Sequence, residues 1–301
     1  MHLKPVIAWC RERKVSFRCN ELLSGRVYTA IGGAADILLM PDHNQLPELF
    51  LMLRTEEIPY LILGKGSNIL VSDKGVRGAV ISTELLRTVN VDAAQGMIRA
   101  DAGVPLQSML HLAAEAGLGG LEGLSGIPGT LGGAVAGNAG SFGVEMQDVL
   151  KSATVLSASS PEASFDAVAL GMQYRKTSLP TGALIASVVL QLGQDSPDAI
   201  RKRMADYKAE KSASQPVGER SAGCVFRNPP GEAAGALIDR AGCKDMRVGN
   251  VEVSSLHANF FVNLGGGHAA DYRRLMEEVS RRVFECFGIL LEPEIRLIGD
   301  W

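Results

Sequence analysis

A chain of 301 residues with 46% apolar and 21% charged side chains is ordinary for a soluble enzyme and long enough for two or three compact units. Its net charge of −3, with no concentration of basic residues, argues against a nucleic-acid partner. No apolar run reaches the length of a membrane span, and residues 5–9 are too short and too closely followed by Arg11, Arg13 and Lys14 for a secretory leader, while five cysteines without Cys-x-x-Cys spacing argue against a disulfide framework or a structural zinc; no metal and a reducing, cytoplasmic compartment are expected.

Taken in order, residues 4–14 predict a short helix leading to residues 20–24. Residues 28–31 read as a strand broken by Gly32-Gly33, and residues 37–40 as the next strand. Asn44 is expected to cap a helix through Leu53. A buried strand over 60–63 leads into the tight loop Gly64-Lys65-Gly66-Ser67-Asn68, ahead of Ile69-Leu70-Val71. Short strands follow at 79–82, 89–91 and 97–100, and Pro105 opens a helix that Gly117 closes. Beyond a glycine-rich stretch come strands at 152–156 and 183–192. Ser196-Pro197-Asp198 then caps a charged helix through about Lys211, with a domain boundary near residue 196. The last third predicts a helix around 233–241, a strand over 259–263 and a clear amphipathic helix over 269–287. Tyr272, Leu275, Met276, Val279, Val283, Cys286 and Phe287 share one face of that helix, and Gly288 stops it. A strand over 290–298 ends the chain.

The glycine-rich stretch, residues 119–143, is the most unusual. Glycine recurs every few residues, yet Leu, Ile, Ala and Val fill the gaps in place of the polar residues of a linker. Such a pattern suits backbone packed where a Cβ would collide, or amides freed to cradle phosphate; a turn region that merely packs is equally compatible. Neither common phosphate signature is present. Gly64-Lys65 lacks the P-loop glycine, Pro59 standing there, and Gly64-Lys65-Gly66 lacks the third Rossmann glycine, which is Ile69.

Several stretches, in their order and spacing, resemble one family. They are Leu63 with Gly64-Lys65-Gly66-Ser67-Asn68; Gly123-Leu124-Ser125-Gly126-Ile127-Pro128-Gly129-Thr130-Leu131-Gly132-Gly133-Ala134; Tyr174-Arg175; Ser221-Ala222-Gly223-Cys224-Val225-Phe226-Arg227-Asn228-Pro229; and Leu291-Glu292-Pro293-Glu294-Ile295-Arg296. The chain is similar, from about Asn20 to Gly299, to the UDP-N-acetylenolpyruvoylglucosamine reductases, flavoenzymes of peptidoglycan precursor synthesis. The resemblance implies an α+β fold. A two-subdomain FAD-binding domain of the vanillyl-alcohol-oxidase type would occupy 1–83 and 84–195, and an α/β substrate-binding domain 196–301. Non-covalent FAD would be held by Gly64, Lys65, Gly66, Ser67 and Asn68 and by Ser125, Gly126, Ile127, Pro128, Gly129, Gly132 and Gly133. Between Tyr174-Arg175 and Ser221 there is room for one strand and one helix only, so the chain resembles the shorter type that lacks a tyrosine-bearing loop. A cytoplasmic monomer with no membrane partner is expected.

The implied reaction moves a hydride from NADPH through FAD to C3 of UDP-N-acetylglucosamine enolpyruvate and a proton to C2. Arg175 is implied as the fork on the substrate carboxylate; read alone, it is a surface arginine before a turn. Glu294 is implied as a second polarising group or proton source. Strand alternation would put Glu292, Glu294 and Arg296 on one face, which leaves an ordinary ion pair with Arg296 open. Cys224 stands at the proton donor's place, where serine is commoner in the family; read alone, it is a buried, inert cysteine. Tyr174, Arg227 and Asn228 are implied as contacts to the UDP-sugar, with Gln215 a weaker candidate and His257 equally a structural histidine.

Overall fold

The computed structural model describes residues 3–301 and divides into two compact units, each assembled from separated stretches of chain. One takes the residues up to Cys19 with Ile37–Lys65 and Gly78–Glu210. The other takes Asn20–Asp36, Gly66–Arg77 and Lys211–Trp301. Mixed sheets and helices make the α+β fold that the motifs imply.

Two main sheets centre on the larger unit. Strands Ser16–Leu22, Ala34–Met40, Val76–Ser82 and Tyr60–Leu63 run in that order, the last two parallel with Tyr60 opposite Ala79 and Leu63 opposite Ser82. The second sheet is antiparallel, in the order Ser160–Phe165, Leu150–Ser157, Leu184–Gln191, Met97–Asp101, Val89–Asp92. Helices Leu106–Glu115 and Leu131–Ala136 lay Leu106, Met109, Leu110, Leu131 and Val135 into one core with Ile98, Val188 and Leu190. Each such side chain, fully buried, is worth about 1.5–3 kcal/mol.

Three sequence expectations fail in this unit. The strand Ser16–Leu22 lies at a sheet edge with mostly exposed residues, so no apolar alternation announces it. The helix expected from Asn44 is Leu46–Thr55, preceded by a single 3₁₀ turn over His43–Gln45. Asp42 caps that turn: Gln45 N donates to Asp42 Oδ1 at 3.1 Å while Gln45 Oε1 accepts from Asp42 N at 3.0 Å. The helix Leu131–Ala136 inside the glycine-rich stretch was not expected at all, because Gly132 and Gly133 are poor helix formers. Long-range bonds make up the deficit: Leu131 N donates to Val104 O at 2.8 Å, Gly132 N to Ala102 O at 2.9 Å, and Gly133 N to the capping Thr130 Oγ1 at 3.2 Å.

The smaller unit is built on the helix Ala269–Phe287, which Gly288 ends in the left-handed conformation (φ +69). Tyr272, Leu275, Met276, Val279 and Val283 are buried against Leu237, Ile238, Val251, Val253 and Phe261, whereas Cys286 and Phe287 are exposed beyond the last core contact. At the helix start both oxygens of Asp73 accept amide protons, from Ala269 at 2.9 Å and Ala270 at 3.1 Å. Strands Arg247–Val248, Val251–Val253 and Phe261–Asn263 form an antiparallel sheet, and Arg296–Ile298 pairs in parallel with Ile69–Val71. Residues 28–31 are not a strand. The final strand is confined to 296–298, because Glu294 and Ile295 both donate their amides to Val225 O and break the ladder.

Candidate active site

In the larger unit, residues 119–143 form a fixed platform. Gln107 holds the loop ahead of the 131–136 helix, donating to Ile127 O at 2.8 Å and Leu124 O at 3.2 Å and accepting from Gly126 N at 3.0 Å. Ser125 is buried, Ile127 half-buried and Pro128 exposed, and the chain turns through positive φ at Gly126 (+79) and Gly129 (+130). A Cβ on Gly132 would come within 2.5 Å of Ala102 Cβ, and one on Gly64 within 2.8 Å of Thr130 Oγ1; Gly133 is the roomier member. Beside the 63–64 loop the Thr83 hydroxyl is buried with no hydrogen-bond partner among the described residues, although Thr83 N donates to Leu63 O at 3.0 Å. Backbone that admits no side chain, next to an orphaned hydroxyl and an exposed Lys65, fits a flat, anionic cofactor such as FAD.

Tyr174-Arg175 occupies the centre of a four-residue turn closed by Gln173 N to Lys176 O at 2.9 Å and Lys176 N to Gln173 O at 3.0 Å. Arg175 lies in the left-handed region (φ +55), where glycine or asparagine is usual. Half-buried, it stacks over the Tyr174 ring at 5.1 Å and donates from Nη2 to Gly140 O at 2.7 Å. It is therefore no ordinary surface arginine. Lower in this unit, Glu122 is buried, a setting that raises a carboxyl's pKa. Bonds from Arg203 Nη2 at 2.6 Å and Gly120 N at 2.7 Å outweigh that and hold it below the usual range.

In the smaller unit, Cys224-Val225-Phe226 is gripped from both sides. Cys224 pairs with Phe260 and Phe226 with Pro293 as isolated bridges. Val225 N donates to Asn259 O at 2.8 Å, and Val225 O accepts from Glu294 N at 2.8 Å. The buried Asn259 completes the grip, accepting from Phe226 N at 2.9 Å and donating to Phe226 O at 2.8 Å. Cys224 is half-buried, unlike the sealed Cys10 and Cys243. Asn68 Nδ2 donates to Glu294 O at 3.3 Å and Asn68 O accepts from Arg296 N at 3.1 Å, so Gly66-Ser67-Asn68 and Glu294 share one frame. Gly66 is fixed by contact: a Cβ there would meet Val27 Cγ1 at 2.7 Å.

Arg227 keeps its Nε buried without an acceptor among the described residues, and its Nη1 stands 3.8 Å from Glu292 Oε2. An orphaned guanidinium N–H suits an anionic ligand. Asn228 Oδ1 accepts from Ala234 N at 2.9 Å at the start of the helix Ala234–Arg240. His257 reads as structural: burial pushes its pKa down, Nδ1 accepts from Asn259 N at 3.2 Å, and the ring meets Phe260 edge-on.

Sequence reasoning missed Gln107, Asn259 and Tyr272 as parts of this architecture. Helical spacing marks Tyr272 only as core. It is fully buried and its hydroxyl has no partner among the described residues; burial, with Cys224 as the neighbouring acid, drives the phenol far above its ordinary pKa. Helical spacing could find the ring but not the orphaned hydroxyl.

With this fold and these loops the chain falls into a class, FAD-binding oxidoreductases with a C-terminal region of their own family. Residues 35–160 match the FAD binding domain family, and residues 215–298 match the C-terminal domain of UDP-N-acetylenolpyruvoylglucosamine reductase. The enzyme of that name from Trichlorobacter lovleyi is 39% identical over 283 residues, which span 93% of this chain and 92% of the relative. The crystal structure of UDP-N-acetylenolpyruvylglucosamine reductase from Thermus caldophilus aligns with a TM-score of 0.79 at 38% identity, over 94% of this chain and 98% of that one. Phl p 4.0202, a glucose dehydrogenase, shares only the fold, at 12% identity and a TM-score of 0.52 over 64% of this chain and 44% of its own. The chain belongs to the UDP-N-acetylenolpyruvoylglucosamine reductase family.

Proposed function

We propose that the protein reduces UDP-N-acetylglucosamine enolpyruvate to UDP-N-acetylmuramate for peptidoglycan synthesis, with NADPH as reductant and non-covalent FAD as carrier. Residues 1–83 and 84–195 serve the cofactor and 196–301 the substrate, in a cytoplasmic monomer. FAD, when bound, supplies the hydride acceptor and donor chemistry; Gly64 to Asn68, Ser125 to Gly129, Gly132 and Gly133 supply the cradle. Arg175 grips the substrate carboxylate and steadies the charge that builds there as C3 is reduced. The Cys224 thiol gives its proton to C2 and is re-protonated from solvent. A free thiol, at about 8.5, is a better acid than a hydroxyl. Glu294 polarises the same carboxylate end, while Tyr174, Arg227 and Asn228 hold the UDP-sugar.

The observation that carries this reading is Arg175, held on a left-handed backbone in a closed turn with its guanidinium bonded to Gly140 O, a geometry that the surrounding bonds must impose. The test is NADPH consumption by the FAD-loaded protein with and without the enolpyruvyl nucleotide. Consumption that requires the nucleotide supports the reading. Consumption driven by oxygen alone would make the chain an oxidase, and none at all a non-catalytic binder.

A further inference from the structure

The aim of Arg175 depends on a residue that makes no contact with its guanidinium in the bonds described above. Asn138 follows the 131–136 helix, is fully buried, and holds a left-handed backbone (φ +42). Its Nδ2 donates both hydrogens, to Glu145 Oε2 at 2.8 Å and to Gln173 O at 3.0 Å, while its Oδ1 accepts from Gln147 N at 3.0 Å. Acceptors on one side and a donor on the other fix which way the amide points. Gln147 Nε2 also donates to Glu145 Oε2 at 2.8 Å, so the carboxylate is itself held.

Gln173 is the first residue of the Arg175 turn, and its carbonyl is the one that closes it. Two further bonds tie the same segment to the same loop: Arg175 Nη2 to Gly140 O at 2.7 Å, and Thr177 Oγ1 to Ala136 O at 2.7 Å. Space at the seam is minimal. A Cβ on Gly140 would come within 2.7 Å of Glu145 Cγ and 3.1 Å of Arg175 Nη1. The hairpin Gly140–Ser141 with Val144–Glu145 is anchored in turn by Phe142, which stacks on Tyr207 with centroids 4.4 Å apart.

We propose that Asn138 is a positioning residue for the reaction: through its bonds to Gln173 O and Glu145 it holds the strained turn that presents Arg175 to the substrate carboxylate. The proposal rests on the carboxylate-binding role given to Arg175. Without the Asn138 amide the turn keeps its own two backbone bonds and the ties to Gly140 O and Ala136 O, but loses the bond that fixes its first carbonyl. The guanidinium then shifts along with the turn, and a shift of about 1 Å in a positioning group is enough to cost about a hundredfold in rate.

The decisive variant is Asn138→Gly, which accepts the left-handed backbone and removes only the side chain. With FAD-loaded protein, NADPH should bleach the flavin within about twofold of the normal rate, while reoxidation by the enolpyruvyl nucleotide slows by about a hundredfold. Nucleotide affinity, read from the change in flavin fluorescence, should weaken as well. Asn138→Asp adds a readout that a merely structural role would not move. Its carboxyl faces the Glu145 carboxylate, so the pair retains the bridging bond only while it shares a proton, at a raised pKa. Nucleotide-driven reoxidation should fall about tenfold from about pH 6 to about pH 8 in this variant alone, with flavin reduction flat. Asn138→Gly reoxidising at the wild-type rate, or both half-reactions declining together with the melting temperature, would overturn the proposal. Arg175→Ala is run beside them. If it reoxidises normally, the role of Arg175 itself is lost; if it is crippled while Asn138→Gly is not, only the positioning role is lost.

Discussion

The Tyr174-Arg175 turn and the Cys224 segment are held by opposite means. Arg175 stands on strained backbone, tied to its neighbours by side-chain and carbonyl bonds on one loop. Cys224-Val225-Phe226 is extended chain, bonded along both edges and backed by a core in which Phe226 and Phe261 meet edge-on. A strained turn aims one side chain closely but has few bonds to spare. A doubly bonded segment tolerates a changed side chain because its course is set by backbone. Chemistry should therefore be insensitive to the backbone's support at Cys224, whereas around Arg175 it should depend on each bond that holds the turn.

The largest effect should come from charge. Arg175→Ala or Glu294→Gln should lower turnover by about a hundred- to thousand-fold each while FAD stays bound, as judged by the visible spectrum after gel filtration. A crippling Glu292→Gln beside a mild Glu294→Gln would reverse the choice between the two acids. At Cys224, Cys224→Ala should leave flavin reduction by NADPH near normal and stall reoxidation by the nucleotide in stopped flow. Cys224→Ser should recover much of it. Reoxidation at full speed in the alanine variant would reduce Cys224 to packing.

Asn259→Ala probes the backing of the Cys224 segment, since it leaves the amide and carbonyl of buried Phe226 without partners. A loss of about 2–4 kcal/mol in urea unfolding is expected, and less than about 1 would show that the edges alone suffice. Glu122 gives the acid limb. Its folded pKa is depressed, so its contribution is present above the unfolded value of about 4.5 and is lost as pH falls through the lower folded value. Arg203→Ala should lower stability at neutral pH and flatten that acid limb in thermal melts. The smallest effect is at Arg175→Gly: inactive, yet about 1 kcal/mol more stable than Arg175→Ala because glycine takes the left-handed φ freely.

Legibility in the sequence followed the same divide. The 269–287 helix was plain because five core side chains recur at helical spacing and Gly288 ends it. The 131–136 helix was hidden because its stability comes from carbonyls at residues 102 and 104 and from Thr130, not from its own glycines. The loops proposed for the cofactor, and the acid, thiol and arginine proposed for the reaction, were legible only through the family's motifs. Periodicity misplaced Glu292 and Glu294 in a strand, since tertiary bonds to Val225 override alternation there. Asn138 and Asn259 gave no signal, because one asparagine amide bonded on three sides is invisible until the chain has brought its partners together.

Asp73 caps a helix that begins at Ala269, and Ile69–Val71 finds its parallel partner only at Arg296–Ile298. On the ribosome, Ile31 and Leu70 must therefore wait for residues 269–295 before their core closes, long after residues 37–65 and 78–210 have emerged. Nascent chains stalled before Ala269 should leave residues 20–36 and 66–77 open to protease while residues 89–191 resist it. Protection of the early segments at that stage would show that they fold without the helix.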